Sequence, residues 1–463
     1  MRVIRYDRQY SRRKFLRDCA AGILGTGVLC PLAQAIADTG TIEKAYPEEL
    51  LSIEGFTKGR IKTGDVIDAS NVEHVKDLLE PVRYEQLLKL GRRLKTLPTT
   101  RDAMRLSPWE YIEATLRNAG KAKFDAKGNV VNAADGEPWI GGNPFPDPKT
   151  GLELFAAQTL NWGRHDASTY AFKEFEISGK DGKVRFNYAG VWAEFSPVAR
   201  VVLEPKPYWP EHKDKLRYQT VCFLSPTSFR GTSFLNIWDY DHSTFPNLYG
   251  YVPEFRRVRQ FPTTQRFEPL VPGSSLYLSD AWAAGDPLHT WGNYRIVGRG
   301  PFLAGLSGNW NPSHPNWECG VHGGAAGQSF WDTSVELIPE TIIVEAEPLK
   351  FPRAPISKKR VWFDARNNAV VGMLTFDRRG QPYRSFDGAY DLYEKGSDRH
   401  MDGAHPYWSW VHVTASDIQT GDITRLNQVR VLEGSHRSGA NDPDIYNKYL
   451  TQAALIKLGA SSA

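Results

Sequence analysis

Residues 360–377, RVWFDARNNAVVGMLTFD, decide the fold. Arg360 to Asp364 and Ala369 to Asp377 predict two strands joined by a turn at Arg366 to Asn368. Both strands are apolar on both faces: Val371, Met373 and Thr375 alternate with Val370, Leu374 and Phe376, and Val361 and Phe363 flank Trp362. An antiparallel sheet with one wet face would alternate apolar and polar residues. The pattern therefore predicts a sheet covered on both sides, one side by helices and the other by a second sheet, a loop or a ligand. An ordinary sandwich core satisfies the same pattern.

Working outward, the same meander starts near Tyr170. Glu176 to Ser178, the turn Gly179 to Gly182, and Lys183 to Tyr188 predict a hairpin. Thr341 to Ala346 and Tyr407 to Ala415 are strand-like, with turns at Arg378 to Gly380 and Thr420 to Asp422. Alternation puts Trp408, Trp410 and His412 on one face. Ahead of the meander, Ser70 to Thr96 predicts a helix with a Ser70/Glu73 capping box and an interruption at Pro81. A second helix starts at Ser107, with Pro108 in its first position, Glu110 completing the box and Gly120 past its end. Near the C-terminus, Asp442 caps a helix that Gly459 follows. Trp282 to Phe330, rich in Gly, Trp, Asn and Pro, has no sustained period and predicts a long loop.

The first 37 residues predict a twin-arginine export signal: Arg12 and Arg13 adjoin, Phe15 and Leu16 follow, and a modest apolar run leads to Ala35-Ile36-Ala37. That places the working protein in the periplasm, delivered by the twin-arginine translocase. Residues 1–37 carry seven Lys and Arg against two Asp and Glu, a net +5 where the whole chain carries +4, so the remainder is near −1. A near-neutral surface gives no electrostatic case for nucleic acid. Only Cys222 and Cys319 lie beyond the signal, enough for one disulfide at most. Aromatic residues make up 12% of the chain, with 14 Trp against 4 Met, which suits a large core or an apolar cavity alike.

No Gly-x-Ser-x-Gly elbow, phosphate-cradling loop, strand-linked dinucleotide fingerprint, Cys-x-x-Cys or His-Glu-x-x-His occurs beyond the signal, so no catalytic residue, metal ligand or cofactor is assigned. Two histidine clusters remain, His314, Cys319 and His322, and Asp398, His400, Asp402, His405 and His412. Their ligand types suit zinc, although neither spacing is a recognised site, and hydrogen-bonding histidines are the plainer reading. Asn143 to Gly151 is a turn stiffened by its prolines. Arg256, Arg257 and Arg259 form a charge run that a solvated strand edge would also carry.

Four segments resemble, in order, the outer-membrane lipoprotein-sorting proteins of the LolA/LolB type and a large, functionally uncharacterised periplasmic family related to them. They are Phe223 to Pro226 with Arg230 to Leu235; Tyr251 to Arg259, leading to Gly273, Ser274 and Asp280; Pro355 to Asp364; and Ala369 to Gly380. Asn143 to Gly151 and Asn161-Trp162 resemble the entry signature of the uncharacterised family. The resemblance implies a β-dominated α+β fold, a strongly curved antiparallel sheet forming an incomplete barrel whose concave apolar face is closed by helices. It divides the chain into a signal (1–37), a helical extension (38–165), the β domain (166–435, with the loop 282–330) and a C-terminal helix (436–463). It also implies a non-enzymatic carrier or chaperone for a lipid or other hydrophobic compound, working beside a resistance-nodulation-type exporter or an outer-membrane protein. On that reading Tyr251, Trp362, Met373, Trp408 and Trp410 line the ligand cavity, and Arg256, Arg257 and Arg259 meet a partner or a headgroup. A metal-dependent enzyme using the histidines, and an envelope-assembly protein, are the alternatives.

Overall fold

The computed structural model describes residues 40–461, apart from 264, 265, 270, 278, 281–284, 395–399 and 403. The signal with Arg12, Arg13, Phe15 and Leu16, and likewise Trp282, Asp398 and the Asp402 side chain, lie outside the described residues. One 16-stranded sheet organises the rest. Its strands, numbered in chain order, begin with β1 (Val66–Ile67), β2 (Leu94–Thr96), β3 (Ala167–Ile177), β4 (Val184–Phe195) and β5 (Lys215–Ser225). Next come β6 (Ser233–Asp239), β7 (Asn247–Val252), β8 (Arg257–Phe261), β9 (Gly292–Ala304) and β10 (Thr333–Glu347). The last six are β11 (Ile356–Asp364), β12 (Val370–Asp377), β13 (Pro382–Leu392), β14 (Trp408–Asp417), β15 (Ile423–Val429) and β16 (Gly439–Ala440).

The spatial order is β1-β2-β10-β11-β12-β13-β14-β15-β3-β4-β5-β6-β7-β8, with β9 on β10 and β16 on β3. Neighbours are antiparallel except β2 on β10. The sheet curls strongly without closing, because β8 at one end pairs with neither β1 nor β9 at the other. Lys359 of β11 and Trp238 of β6 are far apart in the sheet order, yet one chain of contacts joins them. The Lys359 ammonium lies 3.8 Å from the Trp291 ring, whose Nε1–H donates to Asp286 at 2.8 Å. Asp286 pairs with Arg266, and the Arg266 guanidinium stands 5.9 Å from the Trp238 ring. Arg266, Asp286 and Trp291 thus bridge the open side of the curl.

Helices cover both faces. They are α1 (Ile53–Thr57), α2 (Pro81–Lys89), α3 (Trp109–Asn118), α4 (Gly151–Leu160), α5 (Ile445–Tyr449) and α6 (Gln452–Ser461). α4 fills the concave side. Thr150 and Glu153 cap its start reciprocally, and eight of its ten residues are buried, as expected of a helix that is apolar nearly all round. A Cβ on Gly151 would fall 2.6 Å from Val344 of β10 and 3.2 Å from the Tyr294 backbone of β9, so glycine sets how closely the helix approaches the sheet. The Arg217 guanidinium of β5 donates to the Thr159 carbonyl at 2.9 Å and closes the other end. α1, α2 and the turn Val72–Leu78 bury Ile53, Val72 and Leu87 against Leu303 and Leu337, while on the convex side α5 and α6 cover Val191, Leu235 and Tyr251.

Several sequence expectations need correction. Val72–Leu78 is a 3₁₀ turn following Asn71, α2 starts at Pro81 under a Glu80 cap, and Leu94–Thr96 joins the sheet, so residues 70–96 are not one helix. In α3 the capping residue is Pro108, which offers no side-chain bond, so the Ser107/Glu110 box does not form. The C-terminal helix is two, and Gly459 lies inside the second. The 282–330 segment contains the 13-residue strand β9. Gly298, Gly300 and Pro301 disguise it, although Tyr294 and Ile296 alternate with Arg295, Val297 and Arg299 as a strand should.

Candidate functional site

The concave interior is the chemically distinct part of the molecule. Strand alternation sends Val361 and Phe363 of β11 inward, with Phe363 edge-on to Phe155 of α4 at 5.3 Å. Val361 faces Met373, which faces Phe386, so Met373 is interior and buried. Trp410 reaches Tyr170 at 5.5 Å, and Trp408 stacks on Tyr390 at 5.4 Å. The structure thus brings Met373, Trp408 and Trp410 into one interior. Arg164, buried and in left-handed backbone, holds its guanidinium 5.1 Å from Trp408 and 5.6 Å from Tyr111.

Tyr111 is itself buried, at the floor of a surface groove. The groove lies between α3 and the turn after β11, walled by Ile112, Leu116 and Ala119 on one side and Ala365 and Asn367 on the other. Ile112, Leu116 and Ala119 repeat at helical spacing and are partly or fully exposed, an apolar stripe left on the outside of α3. At another part of the interior, residues 271–277 with Ser279 and Asp280 form a strap. The Ser274 hydroxyl donates to Glu174 at 3.0 Å, the Ser275 N–H to Thr424 at 2.7 Å, and Arg384 grips Asp280.

The interior charges are perturbed chiefly by burial. Desolvation pushes the Glu194 carboxyl up to about 7 and the Lys359 ammonium down to about 8. It brings Arg217 down to about 10. Glu174 and Glu176, adjacent on one face of β3, are both raised by burial, and Glu176, raised further by its neighbour's charge to about 10, holds its proton at neutral pH.

The convex face is different. Trp362 points there: it lies opposite Gly372, stacks on Phe302 at 5.8 Å, and Phe302 carries the Arg83 guanidinium of α2 at 5.3 Å. Tyr251 also faces outward, into the cluster under α5 and α6. His412 does not share a face with Trp408 and Trp410, because the pairing slips by one residue at Val411 (Tyr390 opposite Trp410, Ala389 opposite His412). Its ring lies 5.8 Å from Trp331, neither nitrogen has a hydrogen-bond partner among the described residues, and burial drops its pKa to about 3. Asp387 anchors this face, taking two bonds from Arg92, at 2.8 and 3.2 Å, and approaching Arg83 at 3.6 Å. Against the burial that would raise it, Arg92 and Arg83 hold its pKa to about 2.

The histidine clusters do not converge. The His314 ring accepts from the Asn316 and Glu318 N–H groups, His322 pairs with Asp332, His400 packs on Trp317, and His405 stacks on Trp109. Among the described residues no group of three or more His, Cys, Asp or Glu side chains is placed to hold a metal ion. Cys222 and Cys319 are both free. Arg256, Arg257 and Arg259 are exposed at the β7–β8 turn and along β8, the outermost strand beyond β7. No helix among the described residues is long and apolar enough to cross a membrane. Sequence reasoning missed α4, Arg164 and the inward carboxylates. The Thr150-x-x-Glu153 box was the available signal for α4, whereas buried charge has no local signature.

A family model described as a protein of unknown function, DUF1329, matches residues 66–455. Among solved structures, a DUF1329 protein from Desulfovibrio piger is 14% identical over 66% of this chain and 97% of its own, with a TM-score of 0.41. A domain assigned to outer membrane lipoprotein-sorting proteins, from Vibrio parahaemolyticus, is 15% identical over 64% of this chain and 97% of its own, TM-score 0.39. A LolA-superfamily protein from Nitrosomonas europaea is 11% identical over 66% of this chain and all of its own, TM-score 0.35. No curated protein sequence matches the chain.

Proposed function

Because the chain belongs to the DUF1329 family, whose function is unknown, the reading rests on its own geometry, and we propose a non-enzymatic periplasmic carrier or chaperone for a lipid or other hydrophobic compound. The observation that carries it is a curved sheet whose concave side is aromatic and apolar, with a half-exposed apolar groove leading from solvent to Tyr111 beside that interior. A ligand's tail enters between α3 and the turn after β11, against Ile112, Leu116 and Ala119, and Met373, Trp408 and Trp410 form the deeper wall. Trp362 and Tyr251 back the sheet from outside. Burying ten methylenes contributes on the order of 8 kcal/mol before ordering costs, enough for retention during transfer. Arg12, Arg13, Phe15 and Leu16 direct export by the twin-arginine route, and the delivery partner is an exporter of the resistance-nodulation type or an outer-membrane protein. The dispersed histidines lend the metal-enzyme alternative no support.

The test is organic extraction and mass spectrometry of the protein purified from an exporting host. Recovery of a lipid or other apolar compound is expected, reduced in Leu116→Glu, which puts a charge at the groove mouth. If nothing apolar is recovered and no hydrophobic probe competes for the groove, the proposal fails.

A further inference from the structure

One end of the β3–β8 sheet carries a surface the carrier reading leaves unused. The hairpin turns β3–β4, β5–β6 and β7–β8 project from this same end, because successive strands alternate direction. They touch one another. Phe186 stacks near Tyr188 at 6.4 Å, Tyr188 meets Phe229 of the next turn at 5.5 Å, and a Cβ on Gly231 would lie 3.2 Å from Pro253 of the third.

Two aromatic rings protrude here, Phe186 at 44% and Phe255 at 50% exposure. Cations surround them: Lys180, Lys183 and Arg185 beside Phe186, Arg230 on the middle turn, and Arg256, Arg257 and Arg259 beside Phe255. The acids at the three turns are fewer, Asp181 and Glu254, and among the described residues only Arg185 and Arg230 of these cations are paired, with Asp422 and Glu433. Among the described residues no ion pair engages Lys180, Lys183, Arg256, Arg257 or Arg259. The Arg259 guanidinium rests 4.2 Å from the Phe255 ring, so an apolar tip and a cationic collar form one unit.

We infer that this end docks on an anionic phospholipid membrane surface, with Phe186 and Phe255 entering the headgroup layer and the Lys and Arg collar meeting phosphates. A protein partner would favour a contiguous apolar patch, whereas separated aromatic tips each ringed by cations match the layered chemistry of a bilayer surface. The groove beside α3 is elsewhere, so this inference stands apart from the carrier reading.

The experiment is flotation of the purified protein with vesicles of phosphatidylcholine alone and of phosphatidylcholine with phosphatidylglycerol. Binding is expected only to the anionic vesicles and should fall steeply between about 0.1 and 1 M salt, as the screening length drops from ~10 to ~3 Å. At roughly fivefold per cation, Arg257→Ala with Arg259→Ala weakens binding about 25-fold, and Phe255→Ser, which keeps every charge, weakens it as well. Arg60→Ala with Lys62→Ala, exposed in the N-terminal extension, removes the same charge and leaves binding unchanged. Circular dichroism checks that each variant is folded. Absence of flotation, equal binding to neutral vesicles, or wild-type binding by the β8 pair overturns the inference. So does a result in which that pair abolishes capture of another protein while vesicles are ignored. Apolar cargo recovered from a protein that does not float would leave the carrier reading intact and remove this one.

Discussion

The two faces of the sheet bury charge in opposite ways. On the convex face Asp387 is matched by Arg92 and Arg83, and its pKa is held to about 2. On the concave face Glu194, Lys359 and the Glu174/Glu176 pair are shifted toward their neutral forms, with burial the leading cause. A matched seam locks the N-terminal extension to the sheet. Charges shifted by desolvation can change state when the interior is opened or filled, which is the behaviour expected of a face that handles a ligand.

The contrast breaks most directly at its strongest point. Asp387→Ala leaves two guanidinium groups buried without a carboxylate and should cost about 4 kcal/mol in chemical denaturation. A loss under about 1 kcal/mol would mean the seam is not matched as described. The sign with pH follows from the depressed pKa. The Asp387 contribution is present above the unfolded value near 4 and disappears as pH falls toward about 2. Next in size is Met373→Ala, expected to cost about 3 kcal/mol by opening a void on the concave face. If that void is continuous with the groove, uptake of a small apolar probe rises while stability falls, and a stability loss with no gain in uptake would separate the interior from the groove.

The strands around Trp362 and Met373 were legible because two-sided apolar alternation over 360–377 has one simple physical cause, burial on both faces. What alternation could not supply was which face. The sequence pairs Trp408 and Trp410 correctly but adds His412, since a one-residue bulge at Val411 leaves no trace in composition. Trp362 reads as a cavity residue under the family resemblance, and only the register with Gly372 and the stack on Phe302 place it outside. β9 was hidden by glycines whose usual meaning is a loop. The interior charges could not have been found at all, because Lys359 and Glu194 acquire their character from residues distant in sequence.

The smallest effect tests the concave face from within. Glu176 sits under the strap, accepting from the Thr424 hydroxyl beside Glu174, and its folded pKa is raised. Its unfolded value is near 4.3, so between that and its folded pKa the native state holds the extra proton. The stability it contributes is complete below the unfolded value and is lost as pH rises through the folded one. Glu176→Gln keeps an acceptor for Thr424 and cannot ionise. It should therefore gain on the order of 1 kcal/mol at neutral pH and flatten the decline of stability toward alkaline pH, with little change in acid. Thermal melts of both proteins across that range decide it. A variant whose loss is the same at every pH would place the carboxylate among structural hydrogen bonds, and the two faces would then differ only in how their charges are paired.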